Sequence, residues 1–149
     1  MRIWVDADSC PVPLREIICK AAMRTQTLVT FVANQPLPIK RTDFTQMLQV
    51  EKGFDVAENE IVKRASAGEL VITNDIPLAS EVIENEVEVI NMRGEKLTKH
   101  NIGQRLNMRD FMDTLRSSGI ETGKNAAFSN TDKQEFANQL DRFLARIKK

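Results

Sequence analysis

The chain has 149 residues, of which 42% are apolar and 28% are charged, so it is long enough to form one domain with a core. Its 21 Lys and Arg residues balance its 21 Asp and Glu residues, which argues against a basic protein that coats nucleic acid. No apolar run approaches the roughly 18 residues of a membrane helix. Asp6 and Asp8 interrupt the early apolar stretch that a signal peptide would need. These features predict a cytoplasmic protein without a membrane anchor, and they leave its oligomeric state open.

Short β-branched apolar runs alternate with helical patterns along the chain. The pattern predicts strands at 3–6, 28–33, 70–73 and 87–91, and helices at 11–24, 56–67 and 77–85. Residues 44–50 fit either a short strand or a helical turn. A fourth helix is expected in "NIGQRLNMRDFMDTLRSSG" and a fifth at 131–149, after a mobile loop at 118–130. The alternation predicts a single domain over 1–149, folded as a three-layer α/β/α sandwich with a mostly parallel sheet.

Acidic residues recur where the predicted strands end. Asp6 and Asp8 follow the first strand, Asp75 follows the third, and Asp55 and Glu58 lie at the start of the helix before that third strand. Ligands of open parallel sheets bind outside the carboxyl ends of the strands. Carboxylates without nearby His or Cys suit Mg²⁺ or Mn²⁺, which could activate a water for attack on phosphorus. The sequence therefore predicts a metal site formed by these five residues.

A structural role is the alternative for each of these carboxylates. Asp6 or Asp8 could be the N-cap of the first helix, and Asp75 could cap the third. Asp55 and Glu58 are also favoured in a first helical turn by the helix dipole alone. Both interpretations stay open at this point.

Other polar residues near the predicted strand ends are candidates for substrate binding. Ser9 could bind phosphate or cap the first helix, and Asn34 could orient a substrate or simply form a turn. Arg93, after the fourth predicted strand, could clamp a phosphate through two hydrogen bonds. Four further residues could form either a basic rim around the site or a solvated helix face: Lys96, Lys99, His100 and Arg105.

Two residues are weaker candidates for direct catalysis. Cys10 lies at a predicted helix N-terminus, where the pKa of a thiol can be lowered, so it could be a nucleophile. His100 is the sole histidine and could be a general base, although a metal-bound water does not need one. We expect both cysteines, Cys10 and Cys19, to be free thiols in a reducing compartment.

Two enzyme families share parts of this pattern. "VDADS" and "LVITN" resemble HAD phosphatases, in which Asp6 would be the nucleophile and Asp8 the acid. However, that family needs a later strand ending in paired acids, and here the strand "VEVINMRG" ends in Asn91. A small-molecule phosphatase is therefore a second alternative.

The stronger resemblance is to PIN-like nucleases. Its motifs are "VDAD", "ENEIVKRA" and "VITNDIPLA", with Glu58 at the motif's Asp position. The resemblance implies that Asp6, Asp8, Glu58 and Asp75 are catalytic metal ligands for Mg²⁺ or Mn²⁺. It also implies an RNA substrate, with the residues Thr73 and Asn74 beside it.

Over its whole length the chain resembles the bacterial YaiI/YqxD-like family, a PIN-related group. "VDADSCPV", "GFDVAENEIV", "GELVITNDIPLA", "NMRGE" and "TKHNI" carry this likeness. An Asp is expected near position 58 or 59 in that family, whereas this chain has Glu58 and Asn59. The longer side chain of Glu58 places its carboxylate oxygens differently from those of an Asp, which would weaken a metal site. A non-catalytic module that binds RNA or protein is therefore an alternative.

Overall fold

The structure is a computed structural model that describes residues 2–39, 41–53, 56–103 and 129–147. The strands in these ranges form one six-stranded sheet with the order β3-β2-β1-β4-β5-β6. They are β1 (Arg2–Asp6), β2 (Leu28–Ala33), β3 (Thr45–Gln49), β4 (Leu70–Ile72), β5 (Glu88–Ile90) and β6 (Lys96–Leu97). Neighbours from β3 to β5 are parallel, and β6 is antiparallel to β5.

Helices cover both faces of this sheet. They are α1 (Val12–Thr25), α2 (Val56–Arg64), α3 (Ile76–Glu84) and α4 (Asn130–Ile147). Alternate side chains of β1 point to opposite faces, as the strand period requires. Val5 packs in the core under α1 and α4, and Trp4 packs in the core under α2 and α3. The predicted three-layer α/β/α sandwich is thereby confirmed.

The apolar stripes predicted for the helices account for this packing. In α4, Phe136, Leu140, Phe143 and Leu144 are all buried against the sheet. In α1 the buried residues include Leu14 and Ile18, and in α2 they are Ala57 and Ile61. None of the helices in the described ranges is both long and apolar enough to cross a membrane.

Several boundaries differ from the sequence-based prediction. Residues 44–50 contain the strand β3, because they pair in parallel with β2, and the short strand β6 was not predicted. Helix α2 ends at Arg64 rather than at 67, since the chain then turns through Gly68, which has a φ of 85°. Helix α4 begins at Asn130, one residue early. The predicted fourth helix from residue 104 onward and the loop up to 128 lie outside the described residues.

The parallel pairing of β1 with β4 positions the candidate site. Ile3 lies opposite Leu70 and Val5 opposite Ile72. Both strands therefore end at the same edge of the sheet, and we call this end of the sheet the carboxyl edge. Asp6, the last residue of β1, and Thr73, the first residue after β4, are consequently neighbours.

Candidate functional site

Asp6 is the buried centre of the carboxyl edge, with only 5% of its surface exposed. Its Oδ2 accepts a hydrogen bond of 2.9 Å from the Thr73 hydroxyl. Burial raises the pKa of Asp6 to about 6, and the Thr73 hydrogen bond opposes this shift. The negative charges of Glu58, Asp75 and Asp8 raise it further. These three carboxylates are thus close enough to Asp6 to act on its charge, while the predicted metal site stays a prediction.

Thr73 connects Asp6 to Asp75. The hydroxyl oxygen of Thr73 accepts a hydrogen bond of 2.9 Å from the backbone N–H of Asp75. Asp75 is also the N-cap of α3, where its Oδ1 accepts from the Leu78 N–H at 3.0 Å. The capping role predicted for Asp75 is therefore confirmed, and it holds the residue beside Asp6.

Asp8 links the end of β1 to the end of β2. It is exposed in the short 3₁₀ turn Ala7–Ser9, and its Oδ2 accepts from the Asn34 N–H at 2.9 Å. The N-cap of α1 is Pro11, without a side-chain capping bond. The N-cap of α1 is therefore not Asp6, Asp8 or Ser9; Asp6 is instead the N-cap residue of the 3₁₀ turn, without a side-chain capping bond.

Glu58 approaches the carboxyl edge from the first turn of α2, where it is half-buried. A small pocket of about 60 Å³ lies between α2 and α3, and its lining includes Glu58, Asn59, Asp75 and Glu81. This pocket brings two of the predicted metal ligands to one surface. Asp55 lies outside the described residues.

The donor chemistry of Asp6, Asp8, Glu58 and Asp75 fits a hard divalent cation, because each side chain offers carboxylate oxygens. Their arrangement is less favourable. Among the residues that the structure describes, no group of three or more His, Cys, Asp or Glu side chains could hold a metal ion. Asp8 and Asp75 instead accept hydrogen bonds from backbone N–H groups. The metal ligands therefore remain a prediction.

The other predicted substrate residues hold the loops of this edge in place. Asn34 contributes its backbone N–H to Asp8, and Asn74 Oδ1 accepts from the Met92 N–H at 2.8 Å. Arg93 forms an ion pair with Asp132 of α4, with 2.7 Å between Nη1 and Oδ2. Arg93 is thus at the carboxyl edge, as predicted, and it is oriented by a residue that the sequence did not suggest.

The turn after β5 is built around Asn91, for which the sequence motifs predict no role. Asn91 Oδ1 accepts from the N–H groups of Arg93 and Glu95, at 3.0 and 2.9 Å. Gly94 has a φ of 86° and lies against the start of α4, near Glu135. An Asn and a Gly separated by two residues are typical of such a turn, and this signal is present in "NMRG".

The two weaker catalytic candidates are not favoured by their surroundings. Cys10 is buried, and burial raises the pKa of its thiol to about 12, so the predicted lowering of its pKa was wrong. His100 is exposed in a helical turn at 99–103. In the proposed basic rim, Lys96 pairs with Glu88 at 3.7 Å, and Arg105 lies outside the described residues.

A mostly parallel sheet covered on both faces, with acidic side chains where β1 and β4 end, defines an α/β protein with a carboxylate-bearing edge. A protein-family model described as "Uncharacterized BCR, YaiI/YqxD family" matches residues 4–146. The chain therefore belongs to the YaiI/YqxD family, which confirms the resemblance seen in its motifs.

Close relatives share nearly the full length of the chain. A UPF0178 protein of Aliivibrio salmonicida is 58% identical over 149 residues, which cover 100% of this chain and 99% of the relative. A UPF0178 protein of Halorhodospira halophila is 57% identical over 146 residues, covering 98% and 97%. One of Thioalkalivibrio sulfidiphilus is 58% identical over 146 residues, covering 98% and 99%. No solved structure gives a significant match.

Proposed function

We propose that this protein is a divalent-metal-dependent nuclease that acts on RNA in the cytoplasm. The observation that supports this proposal is the position of Asp6. A buried carboxylate with its pKa raised to about 6 lies at the carboxyl edge, where three further carboxylates repel its charge. A cation bound among these groups would relieve the repulsion and favour their ionised forms.

The residues of the chain have distinct roles in this proposal. Asp6, Asp8, Glu58 and Asp75 would hold Mg²⁺ or Mn²⁺, which supplies an activated water and neutralises charge on a phosphodiester. Thr73 orients the Asp6 carboxylate through its hydroxyl group.

The residues that would border the substrate lie at the same carboxyl edge. The backbone N–H of Asn34 holds the Asp8 carboxylate in the turn after β1. Arg93, in the turn after β5, pairs with Asp132 and would contact a substrate phosphate from beside that carboxylate. Thr73, Asn74 and Ser9 belong to the turns that would border the substrate. The choice of RNA follows the resemblance to PIN-like nucleases.

A non-catalytic binding module is the second candidate. It is favoured by the structural roles of Asp8, which accepts from Asn34, and Asp75, which caps α3. It is also favoured by Glu58 and Asn59, where the family pattern leads us to expect an Asp. Such a module would use the same edge to bind RNA or protein without cleaving it.

An RNA cleavage assay tests the nuclease proposal. A labelled single-stranded RNA is incubated with the protein in Mn²⁺, Mg²⁺ or EDTA, and its fragments are resolved by electrophoresis. The Asp6→Asn and Glu58→Gln variants remove one carboxylate each. The control variant Asp141→Asn removes an exposed carboxylate that pairs with Arg24 on the far end of α1.

We expect cleavage that requires the metal and that falls by about 100-fold, or ~2.7 kcal/mol, in Asp6→Asn. The Asp141→Asn control should retain the wild-type rate. Cleavage that persists equally in Asp6→Asn, or in EDTA, would contradict the proposal. RNA binding without any cleavage would support the binding module instead.

A further inference from the structure

Arg15 lies beside the carboxyl edge and has no role in the proposed function so far. It is the fourth residue of α1, which begins at Val12. Its Nε donates a hydrogen bond of 3.1 Å to the carbonyl oxygen of Cys10, in the turn that follows Asp8. This bond holds the guanidinium group against the loop that carries two of the predicted metal ligands.

Partial burial combined with the lack of an ion pair distinguishes Arg15 from the other arginines in the described ranges. Four of the eight arginines in these ranges pair with carboxylates, in the pairs Arg24–Asp141, Arg64–Glu60, Arg93–Asp132 and Arg146–Glu88. The other three in this part of the chain, Arg2, Arg41 and Arg142, form no such pair but are exposed. Arg15 is half-buried, and no carboxylate in the described ranges forms an ion pair with it. Partial burial of a charge is unfavourable unless an opposite charge compensates it. Arg15 is therefore a cation that an external anion can pair with.

The position of Arg15 in its helix also argues for a role other than stability. The N-terminal end of a helix carries a partial positive charge, which disfavours a nearby cation. The hydrogen bond to Cys10 uses the Nε–H of Arg15, but neither an ion pair nor the helix dipole compensates its charge. An anionic ligand at the carboxyl edge would be attracted by both the guanidinium group and the dipole.

The charge of Arg15 lies close to the acidic group. Arg15 donates to the carbonyl oxygen of Cys10, and the Cys10 backbone N–H donates a hydrogen bond of 3.2 Å to the carbonyl oxygen of Ala7, the residue after Asp6. The turn that holds Arg15 in place therefore continues directly from Asp6. A polyanion that approaches the carboxylates around Asp6 is repelled by them, and Arg15 provides attraction directly beside them.

We propose that Arg15 anchors a backbone phosphate of single-stranded RNA next to the carboxyl edge. This inference rests on the proposed function for the class of substrate. Arg15 lies on the β1 side of the acidic group, and Arg93 lies after β5, with β4 between the two strands. Arg93 already pairs with Asp132, whereas no carboxylate in the described ranges pairs with Arg15. The choice of a polynucleotide over a small phosphate ester follows the proposed function.

Binding without metal tests this proposal separately from cleavage. The affinity for a labelled single-stranded RNA is measured by fluorescence anisotropy in EDTA over a series of salt concentrations. The variants are Arg15→Gln and Arg15→Lys. The matched control is Arg24→Gln, which removes an exposed arginine from the other end of the same helix. Circular dichroism confirms that each variant is folded.

We expect Arg15→Gln to weaken binding by about 10-fold at low salt, and to reduce the slope of log K against log salt by about 0.7, as for one lost phosphate contact. Arg15→Lys should recover most of both effects, because it keeps the charge. Arg24→Gln should match the wild type.

Several results would overturn the phosphate anchor. The first is that the wild type does not bind RNA. The second is that Arg15→Gln leaves the RNA affinity and the salt slope unchanged. The third is that Arg15→Lys and Arg15→Gln lose RNA affinity equally without a change in salt slope. The last result would show that Arg15 only stabilises the Cys10 loop. Equal competition by an acidic peptide would overturn the choice of RNA. If Arg15→Gln reduces the salt slope but the wild type does not cleave RNA, the result would support the phosphate anchor and contradict the nuclease proposal.

Discussion

The hydroxyl group of Thr73 donates a hydrogen bond of 2.9 Å to the carboxylate of Asp6, a residue 67 positions earlier in the chain. The same hydroxyl oxygen accepts from the backbone N–H of Asp75. One threonine side chain thus joins the ends of the two central strands and orders the acidic residues at the carboxyl edge.

Replacing this threonine should destabilise the fold. Thr73→Val keeps the shape of the side chain but leaves the buried Asp6 carboxylate and the Asp75 N–H without this partner. We expect the free energy of unfolding to fall by about 1–3 kcal/mol in urea titrations at neutral pH. Thr30→Val is the matched control. Thr30, in β2, is buried like Thr73, but its hydroxyl oxygen accepts a hydrogen bond only from the uncharged Gln46 side chain. An equal loss in both variants would argue against a special role for the Thr73–Asp6 bond.

The stability of the metal-free protein should depend on the ionisation of Asp6. Burial raises the pKa of Asp6 from 3.8 to about 6, so the folded state binds the proton more tightly than the unfolded state. The resulting stabilisation is fully present below pH 3.8 and is lost as the pH rises through about 6. The loss corresponds to ~3 kcal/mol for a shift of this size.

The Asp6→Asn variant removes this dependence. In EDTA, the free energy of unfolding of the wild type should fall relative to that of Asp6→Asn as the pH rises across this window. Thermal or urea unfolding at a series of pH values measures the difference. A difference that does not vary with pH would show that the Asp6 pKa is not raised.

Metal binding should depend on Asp8. We expect Mn²⁺ to bind the metal-stripped protein in calorimetry, and Asp8→Asn to weaken this binding by about tenfold or more, equivalent to ~1.4 kcal/mol. Asn at position 8 keeps an oxygen that can accept the hydrogen bond from the Asn34 N–H. The loss of Mn²⁺ affinity would therefore reflect the missing negative charge and not a disrupted turn. Asp141→Asn should bind as the wild type does. Equal affinities in wild type and Asp8→Asn would remove Asp8 from the predicted ligands.

The turn after β5 should tolerate only glycine at position 94. In Gly94→Ala the new Cβ would lie 2.4 Å from the Glu135 backbone carbon and 2.5 Å from the Phe136 nitrogen, at a φ of 86°. We expect a loss of about 2–4 kcal/mol in the free energy of unfolding, because the turn or α4 must shift. Gly103→Ala is the control, since no described atom lies within 4 Å of its Cβ position. Similar stabilities of the two variants would contradict the close contact between Gly94 and α4.

Cys10 should react slowly with alkylating reagents. Burial raises the pKa of its thiol from 9.0 to about 12, which lowers the thiolate population at neutral pH by about 1,000-fold. In the Cys19→Ser variant, where Cys10 is the remaining thiol, iodoacetamide labelling followed by mass spectrometry measures its rate. Urea should restore a rate typical of a free cysteine. Rapid labelling of the folded variant would return Cys10 to the candidate nucleophiles.

The arrangement of elements could be predicted well from local patterns. The alternation of β-branched runs with amphipathic segments indicated the three-layer sandwich, and strand β2 was predicted with the bounds Leu28–Ala33. The strand β6 was missed because its two residues are too short to show a period. The end of α2 was placed too late, since apolar spacing continues past Arg64 into a turn that Gly68 makes possible.

The sequence by itself determined the succession of most strands and helices along the chain, the apolar stripes and the acidic residues at strand ends. These depend on periodicity and chain direction, which are local properties. Only the tertiary structure decided which strands are neighbours in the sheet, and with it the contact between Asp6 and Thr73 and the ion pair of Arg93 with Asp132. The environment of Cys10 was decided in the same way. Such contacts join residues far apart in the chain, so they depend on how the helices pack against the sheet.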